Sequence, residues 1–321
     1  IVGSSDVYKR QRKSEHKMIK KECFTAEWIE QVSSELHYND KNLIEKVIRA
    51  LSLLEMLVKA GCPLVFKGGT ALMLILGKSA HRLSIDIDLI CPPGTNIEDY
   101  LKSFADFGFI NLELVERKQR DDADIPKSHS KFFYQIAYRN DTDAQSYILL
   151  DVLYEDIHYF RTQQIAINCP FIRLEGKPLM VTVPSAEDIL GDKLTAFAPN
   201  TTGIPYYKNG RSCSMEIAKQ LYDVGRLFEN VSDLQITKEA FRKIAVVELS
   251  YRSFGTDIGQ VFNDIRQTAL CISTRGKAGE GDFDLIQDGI IRVKSFMYKQ
   301  RYLIDLSLIH ISEPTRHSLI S

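Results

Sequence analysis

Between residues 24 and 60, apolar side chains recur three and four apart. Ile44, Val47, Ile48, Leu51, Leu54 and Leu57 mark one buried helix face, and the stretch predicts a helix pair. The pattern then shortens. Residues 63–66 (PLVF) predict a strand and Gly68-Gly69 a turn. Thr70 to about Leu76 is expected to form a short helix halted by Gly77. Residues 83–90 alternate as a strand does and stop at Cys91-Pro92-Pro93-Gly94. A helix is expected near 96–107. Strands are expected over 109–118, 131–139 and 146–154, with a polar loop at 119–130, and one more strand over 180–183. From Pro184 onward the spacing is helical, at 185–197, 214–229, 237–251, 257–272 and 283–299, interrupted by a turn-rich loop at 199–212. No internal repeat or low-complexity tract occurs. The pattern predicts an α+β protein: a mixed α/β domain over 18–183, then a helical domain over 184–305.

The ends fall outside this division. Residues 6–11, DVYKRQ, can be encoded by GATGTGTATAAGAGACAG, and the reverse complement of that string encodes LSLIHI, residues 306–311. Both resemble the translated adapter of a transposon-based sequencing library, and SEPTR at 312–316 extends the resemblance. Residues 1–17 and 306–321 are therefore read as non-native or disordered tails. The native start is expected at Met18, and the native C-terminus is expected to be cut short near Asp305.

Composition narrows the class. The chain has 321 residues, 44% of them hydrophobic, enough for one large domain or two smaller ones. A net charge of -1 argues against a generally basic nucleic-acid binder and leaves room for a local basic groove. The six cysteines are scattered without a Cys-x-x-Cys pair, which fits reduced thiols in a cytoplasmic protein. No apolar run is long enough to span a bilayer, so no membrane partner is expected.

The chemistry is concentrated in residues 67–89, KGGTALMLILGKSAHRLSIDIDL. On a continuous strand, Leu83, Ile85, Ile87 and Leu89 share one face, while Arg82, Ser84, Asp86 and Asp88 share the other. Two carboxylates on one face can hold hard cations such as Mg²⁺, and Arg82 can reach phosphate oxygens. Gly68 and Gly69 let a ligand approach the backbone, and the short helix that follows them, from Thr70, offers free N–H groups. Taken alone, a Gly-Gly is usually a turn and an Asp-x-Asp a solvated strand face. Their order, strand, Gly-Gly, short helix, then Arg-x-Ser-x-Asp-x-Asp, is more specific.

That order resembles the polymerase β-type nucleotidyltransferase superfamily. More narrowly, KGGTAL followed by RLSIDIDL is similar to the AbiEii/AbiGii abortive-infection toxin family. ILLDVLYE with Asp151, DILGDKLTAF with Lys193 and KQLYDVGRLF with Asp223 extend the resemblance over most of residues 20–300. It implies a polymerase β-like domain followed by a helical bundle. It implies an enzyme that moves NMP from an NTP to an acceptor hydroxyl, using Mg²⁺, two ions, as cofactor. The acceptor is expected to be RNA, a tRNA 3′ end, and the partner a cognate antitoxin. Asp86, Asp88 and Asp151 would hold the metals. Lys67, Gly68, Gly69, Thr70, Arg82, Ser84 and Lys193 would bind the nucleotide, with Lys193 near the triphosphate and Asp223 near Lys193. Asp151 can equally be a strand-end aspartate, with Asp156 a weaker competitor. Lys193 can be an exposed lysine paired with Glu187 or Asp188. The spacing from Gly69 to Asp86 is longer than in many polymerase-like members. Tyr206 and Tyr207, with Lys208 and Arg211, can stack on bases or form a surface loop. The histidines show no metal-ligand spacing and receive no role. Two other readings stay open: transfer to an antibiotic-like small molecule or a protein side chain, and a catalytically idle binding subunit.

Overall fold

The computed structural model describes residues 19–115, 126–139, 144–252, 255 and 257–298. The expectations for 1–17, 299–321 and most of the 119–130 loop lie outside the described residues.

Helix α1 (Ala26–Glu35) and the long α2 (Lys41–Lys59) are the predicted helix pair. The Asp40 side chain caps α2 by accepting from the Leu43 N–H. Its face of Ile44, Val47, Ile48, Leu51 and Leu54 is fully buried. Strand β1 (Val65–Lys67) leads directly into α3 (Gly68–Leu76), and β2 (Ile87–Cys91) follows. Strands β3 (Asn111–Leu114), β4 (Lys127–Gln135) and β5 (Gln145–Tyr154) complete a mixed sheet of order β1-β2-β5-β4-β3. Only the β2–β5 pair is parallel. Ile87 and Leu89 of β2, Phe132 and Tyr134 of β4, and Ile148, Leu150 and Val152 of β5 are buried in the same core as the apolar face of α2. Asp88 and Asp151 lie on the opposite face of the sheet. A two-stranded sheet, β6 (Thr162–Ala166) and β7 (Met180–Pro184), connects to the helical half.

That half contains α4 (Ala186–Ala196), α5 (Ser214–Phe228), α6 (Leu234–Ser250), α7 (Ile258–Ser273) and α8 (Phe283–Val293). They share a second core that includes Leu190, Leu221, Phe241, Val261 and Ile286. Leu72 of α3 is buried in this second core, so the helix that follows the two glycines is anchored by both halves.

Several expectations are corrected. The helix near 96–107 is two separate 3-10 turns, Ile97–Tyr100 and Phe104–Phe107. Two single turns are enough to bury Ile97 and Leu101, and Gly108, with φ +81°, ends the second. Strand β4 begins at Lys127, inside the expected loop. β6 had no counterpart in the pattern, since three of its five residues are exposed polar ones. The loop at 199–212 contains a small hairpin, β8 (Tyr207–Lys208) and β9 (Arg211–Ser212), turned by Asn209-Gly210 with both φ positive.

The strand expected over 83–90 begins only at Ile87. The reason is a competing partner. The Leu83 N–H donates to the Phe296 carbonyl at 2.8 Å, Arg82 bridges to Met297, and the Tyr298 N–H donates to the His81 carbonyl at 3.0 Å. The segment after α8 thus takes the backbone groups of 81–83 away from the sheet.

Candidate active site

The two glycines lie where no side chain would fit. Gly68 has φ +78°, and a Cβ there would stand 2.0 Å from the Asp88 Oδ2 atom. A Cβ on Gly69 would stand 2.6 Å from the Ser84 Oγ atom and 2.9 Å from the Arg82 Nη2 atom. Buried Thr70 donates its hydroxyl to the Asp86 carbonyl at 2.7 Å. The start of α3 therefore lies directly against the Arg82–Asp88 segment. Arg82, Ser84, Asp86 and Asp88 meet the glycines although only Asp88 belongs to a strand.

Asp88 and Asp151 are neighbours in the parallel β2–β5 ladder. Burial, then the charges of Asp86 and Asp151, push the Asp88 carboxyl up to about 7. Burial also raises Asp86, with Asp151 adding to the shift while Lys219, Lys46 and Arg82 oppose it. Asp151 is bonded through Oδ1 to Nδ1 of His129, its register partner on β4. Asp156 is exposed after the end of β5 and does not join the cluster.

The helical half contributes one buried network. Arg82 grips Asp223 of α5 with both arms, Nε to Oδ1 at 2.9 Å and Nη2 to Oδ2 at 2.8 Å, and its Nη1 donates to the Leu83 carbonyl at 3.0 Å. The Lys193 ammonium of α4 lies 3.0 Å from the Asp223 Oδ2 atom and donates to Gln220 at 3.0 Å. Burial works against the Asp223 charge, but Arg82 and Lys193 prevail and hold the carboxyl below its ordinary range. Lys193 is thus buried and paired with Asp223. Glu187 instead accepts from Ser232, and Asp188 accepts from the Phe160 and Arg161 N–H groups. Arg82 thus fastens the two halves together through Asp223.

Lys67 is beside the glycines, its ammonium 3.2 Å from Asp192, which also accepts from the Tyr159 hydroxyl at 3.0 Å. Tyr206 packs against the helical core, while Tyr207, Lys208 and Arg211 are exposed in the β8–β9 hairpin.

Three residues that sequence reasoning passed over stand at this site. Lys219 and Lys46 act on the Asp86 charge, and burial lowers the pKa of each ammonium. His129 holds Asp151. Its signal was the alternation of Ser130, Phe132 and Tyr134, which, run back three residues, extends the strand to position 127.

The donor set is all oxygen and crowded with negative charge, which suits a hard divalent cation. Among the described residues no three His, Cys, Asp or Glu side chains form a ready-made metal cluster. Mg²⁺ does not need one, since it is usually bound by one or two carboxylates together with substrate phosphates and water. Among the described residues no helix is long and apolar enough to cross a membrane.

The family described as "Nucleotidyl transferase AbiEii toxin, Type IV TA system" matches residues 51–296. The chain belongs to the AbiEii nucleotidyltransferase toxin family. Its match runs from α2 past α8 and so takes in both halves of the site. The AbiEii chain is similar to the crystal structure of JHP933 from Helicobacter pylori, at 18% identity over 88% of this chain and 97% of that one, with TM-score 0.46. It is also similar to MenT4, a nucleotidyltransferase toxin from Mycobacterium tuberculosis, at 16% identity over 90% and 95% of the two chains, with TM-score 0.48. No curated protein sequence matches it.

Proposed function

We propose that this AbiEii nucleotidyltransferase moves NMP from an NTP to a hydroxyl at the 3′ end of a tRNA, and that this halts growth in the cytoplasm until a cognate antitoxin opposes it. The observation that carries the reading is the fit of Gly68 and Gly69 against Asp88, Ser84 and Arg82. It leaves a backbone cradle beside carboxylates, where a phosphate chain and its counter-ions can sit together.

In this reading Gly68, Gly69, Thr70 and Ser84 line the phosphate path. Lys193 and Lys219 provide positive charge from the helical half. The acceptor oxygen attacks the α-phosphorus, the bond from that phosphorus to the bridging oxygen breaks, and pyrophosphate leaves. The acceptor proton passes to the Asp151 carboxylate and then to water. Asp86, Asp88 and Asp151 would hold two Mg²⁺ ions, which neutralise phosphate charge and favour the deprotonated acceptor. Asp223 keeps Arg82 and Lys193 in place.

The test is a transfer assay with Mg²⁺, each of four labelled NTPs and total tRNA, with Asp86→Ala as control. Label on tRNA that vanishes in the variant supports the reading and names the nucleotide. Label on lysate protein or on a small molecule, with none on tRNA, overturns the acceptor assignment.

A further inference from the structure

We propose that His129 is the positioning residue of the third carboxylate, holding Asp151 beside Asp88 through an Nδ1–H bond. The inference rests on the reading of Asp151 as a site carboxylate.

The sheet sets up the contact. His129 is opposite Asp151 in the antiparallel β4–β5 ladder, Asp151 is beside Asp88 in the parallel β5–β2 ladder, and Asp88 is opposite Lys67. Residues in one cross-strand row project from the same face. A single row across four strands therefore reads His129, Asp151, Asp88, Lys67. Asp151 stands directly beside Asp88 in that row. Among the described residues the one hydrogen bond of its side chain is to His129. An ionised carboxylate can only accept, so Nδ1 carries the proton and donates it to Oδ1. The bond uses one oxygen. The Asp151 side chain keeps 36% of its surface exposed, so the carboxylate stays accessible for the site's chemistry.

His129 is 8% exposed, and its Nε2 atom is buried with no hydrogen-bond partner among the described residues. The side-chain hydrogen bond described for the ring is the one to Asp151, which fits a role in fixing the carboxylate. The same arrangement, an imidazole and a carboxylate locked by one N–H bond, sets side-chain orientation in many metal sites.

The test compares two replacements in the full chain. His129→Asn keeps an N–H near the Nδ1 position, whereas His129→Leu fills the space and donates nothing. Transfer from labelled NTP to total tRNA with Mg²⁺ is expected to fall about 10–100-fold in the Leu variant, with the KM for NTP nearly unchanged, and to recover substantially in the Asn variant. Stability should run the other way, since at this buried position Leu leaves no polar atom unpaired and Asn does. A purely structural role would make activity follow stability. Nitrogen-15 spectra of labelled histidine provide a readout independent of any acceptor: His129 should be the Nδ1–H tautomer, and Asp151→Asn should shift its signal.

A Leu variant with parental turnover, equal losses in Leu and Asn, or an Nε2–H tautomer would each overturn the proposal. Asp151→Asn, assayed alongside, separates the two levels. Full activity there removes the Asp151 reading itself; an inactive Asp151→Asn beside an active His129→Leu removes only the positioning role.

Discussion

Gly68 and Asp88 are in such close contact that a Cβ at position 68 would stand 2.0 Å from the Asp88 Oδ2 atom. The backbone there is also left-handed, at φ +78°, which costs roughly 1–2 kcal/mol for a residue with a side chain. Gly68→Ala must therefore displace a site carboxylate. Transfer should drop by about 10²-fold, the scale of an ångström misplacement. Gly69→Ala meets Ser84 and the Arg82 guanidinium rather than a site carboxylate, and without a left-handed backbone it should lose less. Thermal melting of both variants would show whether the chain still folds; a fully active Gly68→Ala would refute the close-approach argument.

Asp88 and Asp223 make stability depend on pH with opposite signs. Burial and two neighbouring carboxylates raise Asp88 to about 7, whereas an unfolded aspartate titrates near ~3.9. Between these values the folded chain keeps a proton that the unfolded chain has released. The Asp88 contribution is thus fully present below ~3.9 and lost as pH rises through about 7. Asp223 is held low, so its contribution is present above the unfolded value and lost as pH falls through the folded one. Melting curves in EDTA from pH 4 to 8 should fall less steeply toward neutral pH for Asp88→Asn than for the parent. Identical slopes would contradict the shift.

Removing Asp223 leaves Arg82 and Lys193 buried without their counter-charge. Breaking such a buried pair costs about 3–5 kcal/mol, so Asp223→Ala should unfold at markedly lower urea. Adding Lys193→Met to that variant should restore part of the loss, because it removes one of the stranded charges. Strict additivity of the two changes would show that the groups are not coupled.

Lys219 acts on both Asp86 and Arg82, with its ammonium 4.4 Å from the Phe296 ring centre. Lys219→Met should raise the KM for NTP by about tenfold, equivalent to ~1.4 kcal/mol, with melting little changed. An unaltered KM would assign Lys219 to local charge balance alone.

Much of this site could be read from the chain. The glycines and the Asp-x-Asp pair are local in sequence, and hydrophobic spacing located β1, α3 and β5. What stayed hidden is long-range. Arg82 looked like a strand residue because alternation continues through 83–90; the segment after α8, more than 200 residues later, takes its backbone partners. The resemblance put Asp223 near Lys193 but gave no sign that Arg82 grips the same carboxylate, since only packing brings α5 against the Arg82 segment. His129 was hidden by a strand that starts in polar residues, where periodicity is weak.

The Arg82–Asp223 clasp also ties activity to the order in which the chain is made. Its two residues are 141 positions apart, and the segment that pairs with 81–83 comes later still. A nascent polypeptide that has emerged only through β7 carries all three aspartates, yet its arginine has no acid to grip and its glycine helix lacks half its anchorage. A chain ending at Pro184 should therefore transfer nothing, and a cell translating this toxin would meet the working enzyme only after the segment at 296–298 has been made.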